Sequence, residues 1–355
     1  MDNAYNQLNK LPERDISITL LHIIGMTMIL LCHISQKIGL YSLGEIFIVG
    51  VPLFLFVSGY LSGVKPIKDT GEWLLRKAVR VLLPYLFFMW CVFAIHEIAD
   101  TAEVSAFQWF FCSIGLQGMN YTYWNMDVFD GIIDYAAVSG TGHFWYITTI
   151  MLCYLLTPSL QSLKTVKLSK GWIIIIALTS LAVLTLTMFA GFQFAYIFIY
   201  IAVFLTGQHG LRKDNKYYII VSILALIFTI ARFLLRSVLD STDFYDRTFV
   251  LINNGMLAIW IFYTVYFLQS KIPAFFEKLK VGIVRFLENI SYHVYLTHYV
   301  FLQGGLACSN YISNKLIALI VSLICTFITA ILLWLITEKF LNPIIFKKMK
   351  ENREK

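Results

Sequence analysis

Ten apolar runs of roughly 17–25 residues follow one another along this chain. They lie at about 16–36, 43–63, 80–97, 143–160, 172–189, 192–208, 217–236, 249–268, 283–303 and 316–337. Runs of that length cross a bilayer as helices, because in hydrocarbon a helix satisfies every backbone group from within. Water is the wrong solvent for the whole: 59% of the residues are hydrophobic and only 14% charged, against about 25% charged in an ordinary soluble domain. There is too little polar side chain to cover so much apolar surface. The expected fold is an all-α, polytopic membrane helix bundle with about ten transmembrane helices. It forms a single integral domain over 1–355, with a loop at about 98–142 and a C-terminal tail at about 338–355. The first run follows a polar fifteen-residue tail and lacks a small-x-small cleavage site, so it reads as a span rather than a signal peptide.

Lysine and arginine orient such a bundle, since they gather on the cytoplasmic side. With the N-terminus inside, the inner segments hold Lys10 and Arg14, then Lys65, Lys68, Arg76, Lys77 and Arg80. Further along they hold Lys164, Lys167, Lys170, Arg212, Lys213 and Lys216, then Lys271, Lys278, Lys280 and Arg285. The tail adds Lys339, Lys347, Lys348, Lys350, Arg353 and Lys355, which brings 23 of the 28 basic residues to one side. The loop at about 98–142 has no lysine or arginine but carries Asp100, Glu103, Asp127, Asp130 and Asp134. Both termini are therefore expected in the cytoplasm. The net charge of +7 reads as topology determination and attraction to anionic lipid, not as nucleic-acid binding. In the same loop an interfacial helix is expected around 103–116, although rings beside carboxylates also suit carbohydrate. The six cysteines show no CxxC spacing and read as small apolar residues rather than metal ligands or disulfides.

An ionisable side chain inside a span is costly and so marks a candidate site. The stretch "IGMTMILLCHISQ", residues 24–36, holds His33, and His22 lies eleven residues earlier. Eleven residues are close to three helical turns, so both rings share a face and are expected to look into one cavity. A structural, hydrogen-bonded pair is the alternative. "GVPLFLFVSGYLSG", residues 50–63, offers Ser58-Gly59 and Gly63 for close helix approach, and Pro52 for freed carbonyls. In "RKAVRVLLPYL", residues 76–86, Lys77 and Arg80 share a face and suit phosphates, or simply flank a basic helix end. His143 and Trp145 open the fourth run, and the ninth reads "ENISYHVYLTHYVF", with Ser291, Tyr295 and His298 on one stripe. By the topology above, His33, His143 and His298 fall in the same, outer half.

In order, His22 and His33, "FLFVSG", "KAVRVLLPY", "GHFWYI" and "ISYHVYLTH" resemble the acyltransferase-3 family of integral membrane O-acyltransferases, over nearly the whole chain. The resemblance implies transfer of an acyl group, usually acetyl, from cytoplasmic acyl-CoA to a sugar hydroxyl at or beyond the outer leaflet. His33 matches the family's first-helix histidine and would be the general base, or a transient acyl carrier. Lys77 and Arg80 match a basic pair proposed to hold the donor, with Ser58 beside them. His22 stands where the family usually has arginine; it could donate to a carbonyl or orient His33. His143, Trp145, Tyr295 and His298 would face the acceptor or the oxyanion. The implied acceptor is a polysaccharide or lipid-linked sugar of the cell surface, such as a capsule or exopolysaccharide, reached from the plasma membrane. No bound cofactor and no metal is expected, acyl-CoA being a substrate. The competing classes are a transporter or flippase, or a polymerase, of lipid-linked surface glycans.

Overall fold

The computed structural model describes residues 15–116, 138–162, 192–209, 215–239 and 250–351, and every regular element among them is helical. Asp15 opens α1 (Ile16–Lys37) by accepting from the Ser17 N–H at 3.0 Å, a cap that satisfies one of the orphan donors of a first turn. The second apolar run is two helices, α2 (Tyr41–Phe47) and α3 (Gly50–Val64). Pro52 therefore falls in the first turn of α3, where its missing N–H costs least, rather than breaking a ladder in mid-span. α4 (Thr70–Ala99) is capped by Asp69 and ends at Asp100, whose φ of 50° is left-handed. α5 (Ala106–Ser113) follows, closed by a Ser105–Gln108 capping box. It lies within the stretch expected as interfacial and turns Phe110 outward, while Trp109 packs edge-on against Phe93.

Beyond a short 3₁₀ turn at Gly142–Phe144 come α6 (Trp145–Ser162), α7 (Phe192–His209), α8 (Asn215–Leu239) and α9 (Leu251–Lys271). The short α10 (Pro273–Lys278) leads into α11 (Gly282–Leu302). Last is α12 (Lys315–Trp334), which winds through a π-helical stretch (Leu335–Leu341) into α13 (Asn342–Glu351).

Among the described residues five helices are long and apolar enough to cross a membrane: Ile16–Lys37, Tyr41–Val64, Thr70–Ala99, Asn215–Arg236 and Lys315–Met349. The expected run at 172–189 lies outside the described residues. Those at 143–160, 192–208, 249–268 and 283–303 coincide with α6, α7, α9 and α11 but do not meet the same measure. For α11 the reason is its polar cargo: Ser291, His293, Thr297 and His298 are buried against neighbouring helices. Asn253 and Asn254 of α9 are buried as well. An interior helix does not need an apolar surface all round.

α1 and α11 lie side by side and run parallel. Thr19 and His22 near the start of α1 meet Glu288, and His33 meets His298 and Tyr299. Small residues let α3 sit close to both flanking helices. A Cβ on Gly50 would lie 2.5 Å from the Gly25 carbonyl oxygen of α1, and one on Gly59 would lie 2.8 Å from the Tyr200 carbonyl oxygen of α7. Gly207 of α7 forms a tighter helix seam still, since a Cβ there would run into the Tyr60 carbonyl oxygen of α3. Gly207→Ala is expected to destabilise the bundle by about 1–3 kcal/mol, the usual cost of overpacking. Thermal unfolding in detergent reads this directly, and an unchanged midpoint would mean that the seam opens freely.

Candidate functional site

Two polar regions meet along α11. The first is a cavity of about 370 Å³ between α1, α3, α4, α6, α11 and the π-helical stretch, whose lining includes His22, Ser58, Arg80, Tyr154, Glu288 and Tyr295. His22 is held by Glu288, with Nδ1 3.6 Å from Oε1, and the Thr19 hydroxyl donates to the other carboxylate oxygen at 2.8 Å. A carboxylate with only 7% of its side chain exposed needs such partners, because an uncompensated charge there would be very costly. The Ser58 and Tyr154 hydroxyls share a hydrogen bond of 2.8 Å. Arg80 lines the cavity, whereas Lys77 does not. Its ammonium sits over the Tyr154 ring at 4.6 Å and the Trp73 ring at 5.5 Å, a cation–π arrangement behind the cavity wall. The two cations therefore stand in different surroundings, Arg80 on the cavity and Lys77 on the rings beside it.

The second region is a cluster of three imidazoles. His33 of α1 and His298 of α11 have ring centroids 5.1 Å apart, and His298 stands 5.1 Å from His143. The Tyr299 ring lies edge-on to His33 at 4.7 Å. Hydrogen bonding assigns the proton on each ring. His33 Nδ1–H donates to the Gln36 amide oxygen at 2.9 Å, which leaves Nε2 as a bare lone pair. His143 Nε2–H donates to the Leu296 carbonyl at 3.0 Å, leaving Nδ1 bare. His298 Nδ1–H donates to the Tyr295 carbonyl at 2.7 Å, leaving Nε2 bare. A backbone carbonyl only accepts, which fixes the donor nitrogen of His143 and His298, and the Gln36 amide oxygen does the same for His33 as the side chain is placed.

Three sequence expectations change here. His22 and His33 do not look into one cavity, because three turns separate them by about 16 Å along the axis; His22 lines the cavity and His33 joins the cluster. The Tyr295 hydroxyl donates to the His143 carbonyl, so it is already engaged and not free for an oxyanion. Neutral His143 and His298 present lone pairs, which accept a hydroxyl proton but cannot donate to an oxyanion. Trp145 stacks on Tyr196, with centroids 5.7 Å apart. Among the described residues no group of three or more histidines, cysteines or carboxylates is arranged to hold a metal ion.

Reading for histidines overlooks Glu288, Thr19 and Gln36. For Glu288 the signal was present: a carboxylate inside an apolar run is itself a candidate. It stands one turn before Ser291, on the stripe that continues to Tyr295. Gln36 is one turn beyond His33, close enough to set its tautomer.

In comparison with known proteins, the acyltransferase-3 family model, described as an acyltransferase domain, matches residues 15–338. No curated protein and no solved structure matches the chain.

Proposed function

This chain belongs to the acyltransferase-3 family, and from that premise we propose that it transfers an acyl group, acetyl from acetyl-CoA, to a hydroxyl of a cell-surface or exported polysaccharide. The observation that carries the reading is the position of Tyr295, which walls the cavity and also lies 5.3 Å from His143 and 5.9 Å from His298. One aromatic side chain thus separates a pocket fit for a donor from a cluster fit for taking a proton.

In this reading the bundle crosses the plasma membrane ten times with both termini in the cytoplasm. Arg80 meets the phosphates of acyl-CoA at the inner mouth. The cavity is the size of a small-ligand site and takes the flexible arm, while the nucleotide stays outside. His22, held by Glu288, and Ser58 would hydrogen-bond the amides of that arm, which delivers the thioester towards Tyr295. The acceptor hydroxyl approaches from the outer side and attacks the thioester carbonyl carbon. His33 Nε2 takes the hydroxyl proton, a C–O bond forms, and the C–S bond breaks. The proton held on His33 then passes through water to the departing thiolate, which leaves as the thiol, and His33 returns to the neutral imidazole. Such base catalysis requires a neutral, oriented imidazole, which the Gln36 contact supplies.

The test compares surface-glycan O-acetyl content, by proton NMR, in cells with and without the gene. Acetyl signals present only with the gene are the expected result. Unchanged acetylation with altered glycan amount or export would replace this reading with the transporter or polymerase one.

A further inference from the structure

Burial makes the three-histidine cluster an anomaly. His298 is fully buried and His143 only 6% exposed. The bare nitrogens, His143 Nδ1 and His298 Nε2, have no hydrogen-bond partner among the described residues. A buried lone pair without a donor costs roughly 1–3 kcal/mol. Here two such groups are spent side by side, next to the free Nε2 of His33. Nothing in their own helices requires this, because each ring already donates its N–H to a backbone carbonyl or to Gln36. None of the three rings lines the cavity.

We infer that the three imidazoles form one proton-holding unit, in which a proton that arrives on His33 is shared through an N–H···N bond with His298 and, beyond it, with His143. A proton on His33 Nε2 turns that nitrogen into a donor, with Nδ1–H still bound to Gln36. Rings with centroids 5.1 Å apart can bring facing nitrogens within hydrogen-bond reach. Sharing the charge over neighbouring rings lowers its cost where little water is present. The other titratable groups that face the unit are the phenols of Tyr295 and Tyr299 and, beside His33 on α1, the Cys32 thiol. His143 and His298 are thus positioning residues that act through His33. This role rests on the acyl-transfer reading for its use in turnover, whereas the proton sharing itself does not depend on it.

The experiment uses the full chain in lipid nanodiscs with ¹⁵N-labelled histidine rings, followed by long-range ¹H–¹⁵N NMR as the pH is lowered. The expected result is one strongly deshielded proton correlated with ring nitrogens of two different histidines. All three rings should shift together on uptake of that proton. His298→Asn keeps a donor to the Tyr295 carbonyl but removes the Nε2 lone pair, so it should abolish the shared signal while the bundle stays folded. His143→Gln, which keeps a donor near Nε2, should weaken it. Three rings that titrate independently would overturn the inference, and so would separate N–H signals exchanging with a bridging water. In parallel, thiol release from acetyl-CoA by cell membranes containing wild type or His298→Asn reads turnover. A roughly tenfold loss with unchanged donor KM is expected. No release even by wild type would sink the acyl-transfer reading while leaving the NMR result to decide the proton sharing.

Discussion

Replacing His33 by glutamine lowers acyl transfer by about 10²–10⁴-fold, the usual contribution of a positioned general base. The variant keeps a polar group at the same depth and loses only the basic Nε2. Folding should survive, because His33 is half-buried and, among the described residues, hydrogen-bonds only to Gln36 in the next turn. Gln36→Leu is the companion. It keeps the imidazole but releases its tautomer, so the correct form is no longer enforced and a smaller loss follows. Glycan O-acetyl content in cells and thiol release in membranes measure both. A His33→Gln variant with full activity would move the base elsewhere, with His22 the first place to look.

The largest effect on stability is expected far from the histidines, where Glu45→Ala should cost about 3–5 kcal/mol. Arg232 of α8 is 1% exposed and reaches the Glu45 carboxylate at 2.9 Å. Its guanidinium also donates to the side-chain oxygens of Asn253 and Asn254 at 3.1 and 3.3 Å, and Arg236 meets the same carboxylate at 3.1 Å. The network ties α2, α8 and α9 together. Removing Glu45 takes from this buried guanidinium the carboxylate it meets at 2.9 Å. Arg232→Met fills the same space without charge and lets Glu45, one-third exposed, face water beside Arg236. It should therefore be the milder change. Chemical unfolding in mixed micelles ranks the two, and equal losses would show that packing rather than charge holds these helices.

The helical, membrane-type character was legible because runs of apolar residues at bilayer length leave few other solutions. Individual spans were less so. α11 looks too polar only when its serine, threonine and histidines are imagined in lipid rather than against neighbouring helices. The meeting of His33, His143 and His298 could be anticipated from their common depth. Which nitrogen His143 and His298 leave free could not, because the carbonyls of Leu296 and Tyr295 decide it, and their direction is a property of the folded α11. The separation of His22 from His33 needed only the helical rise to be weighed against the size of a pocket. The Arg232–Glu45 contact joins residues 187 positions apart, and single-sequence periodicity contains no information on such pairs.

The side-by-side, same-direction arrangement of α1 and α11 imposes a rule of parity. Two neighbours that start on one face of a bilayer require the intervening chain to traverse it an odd number of times. The Glu288 contact and the His298 contact lie ten residues apart on α11, about 15 Å along the axis, on a single pair of helices. A ligand that touched both would have to run lengthwise between the same two helices.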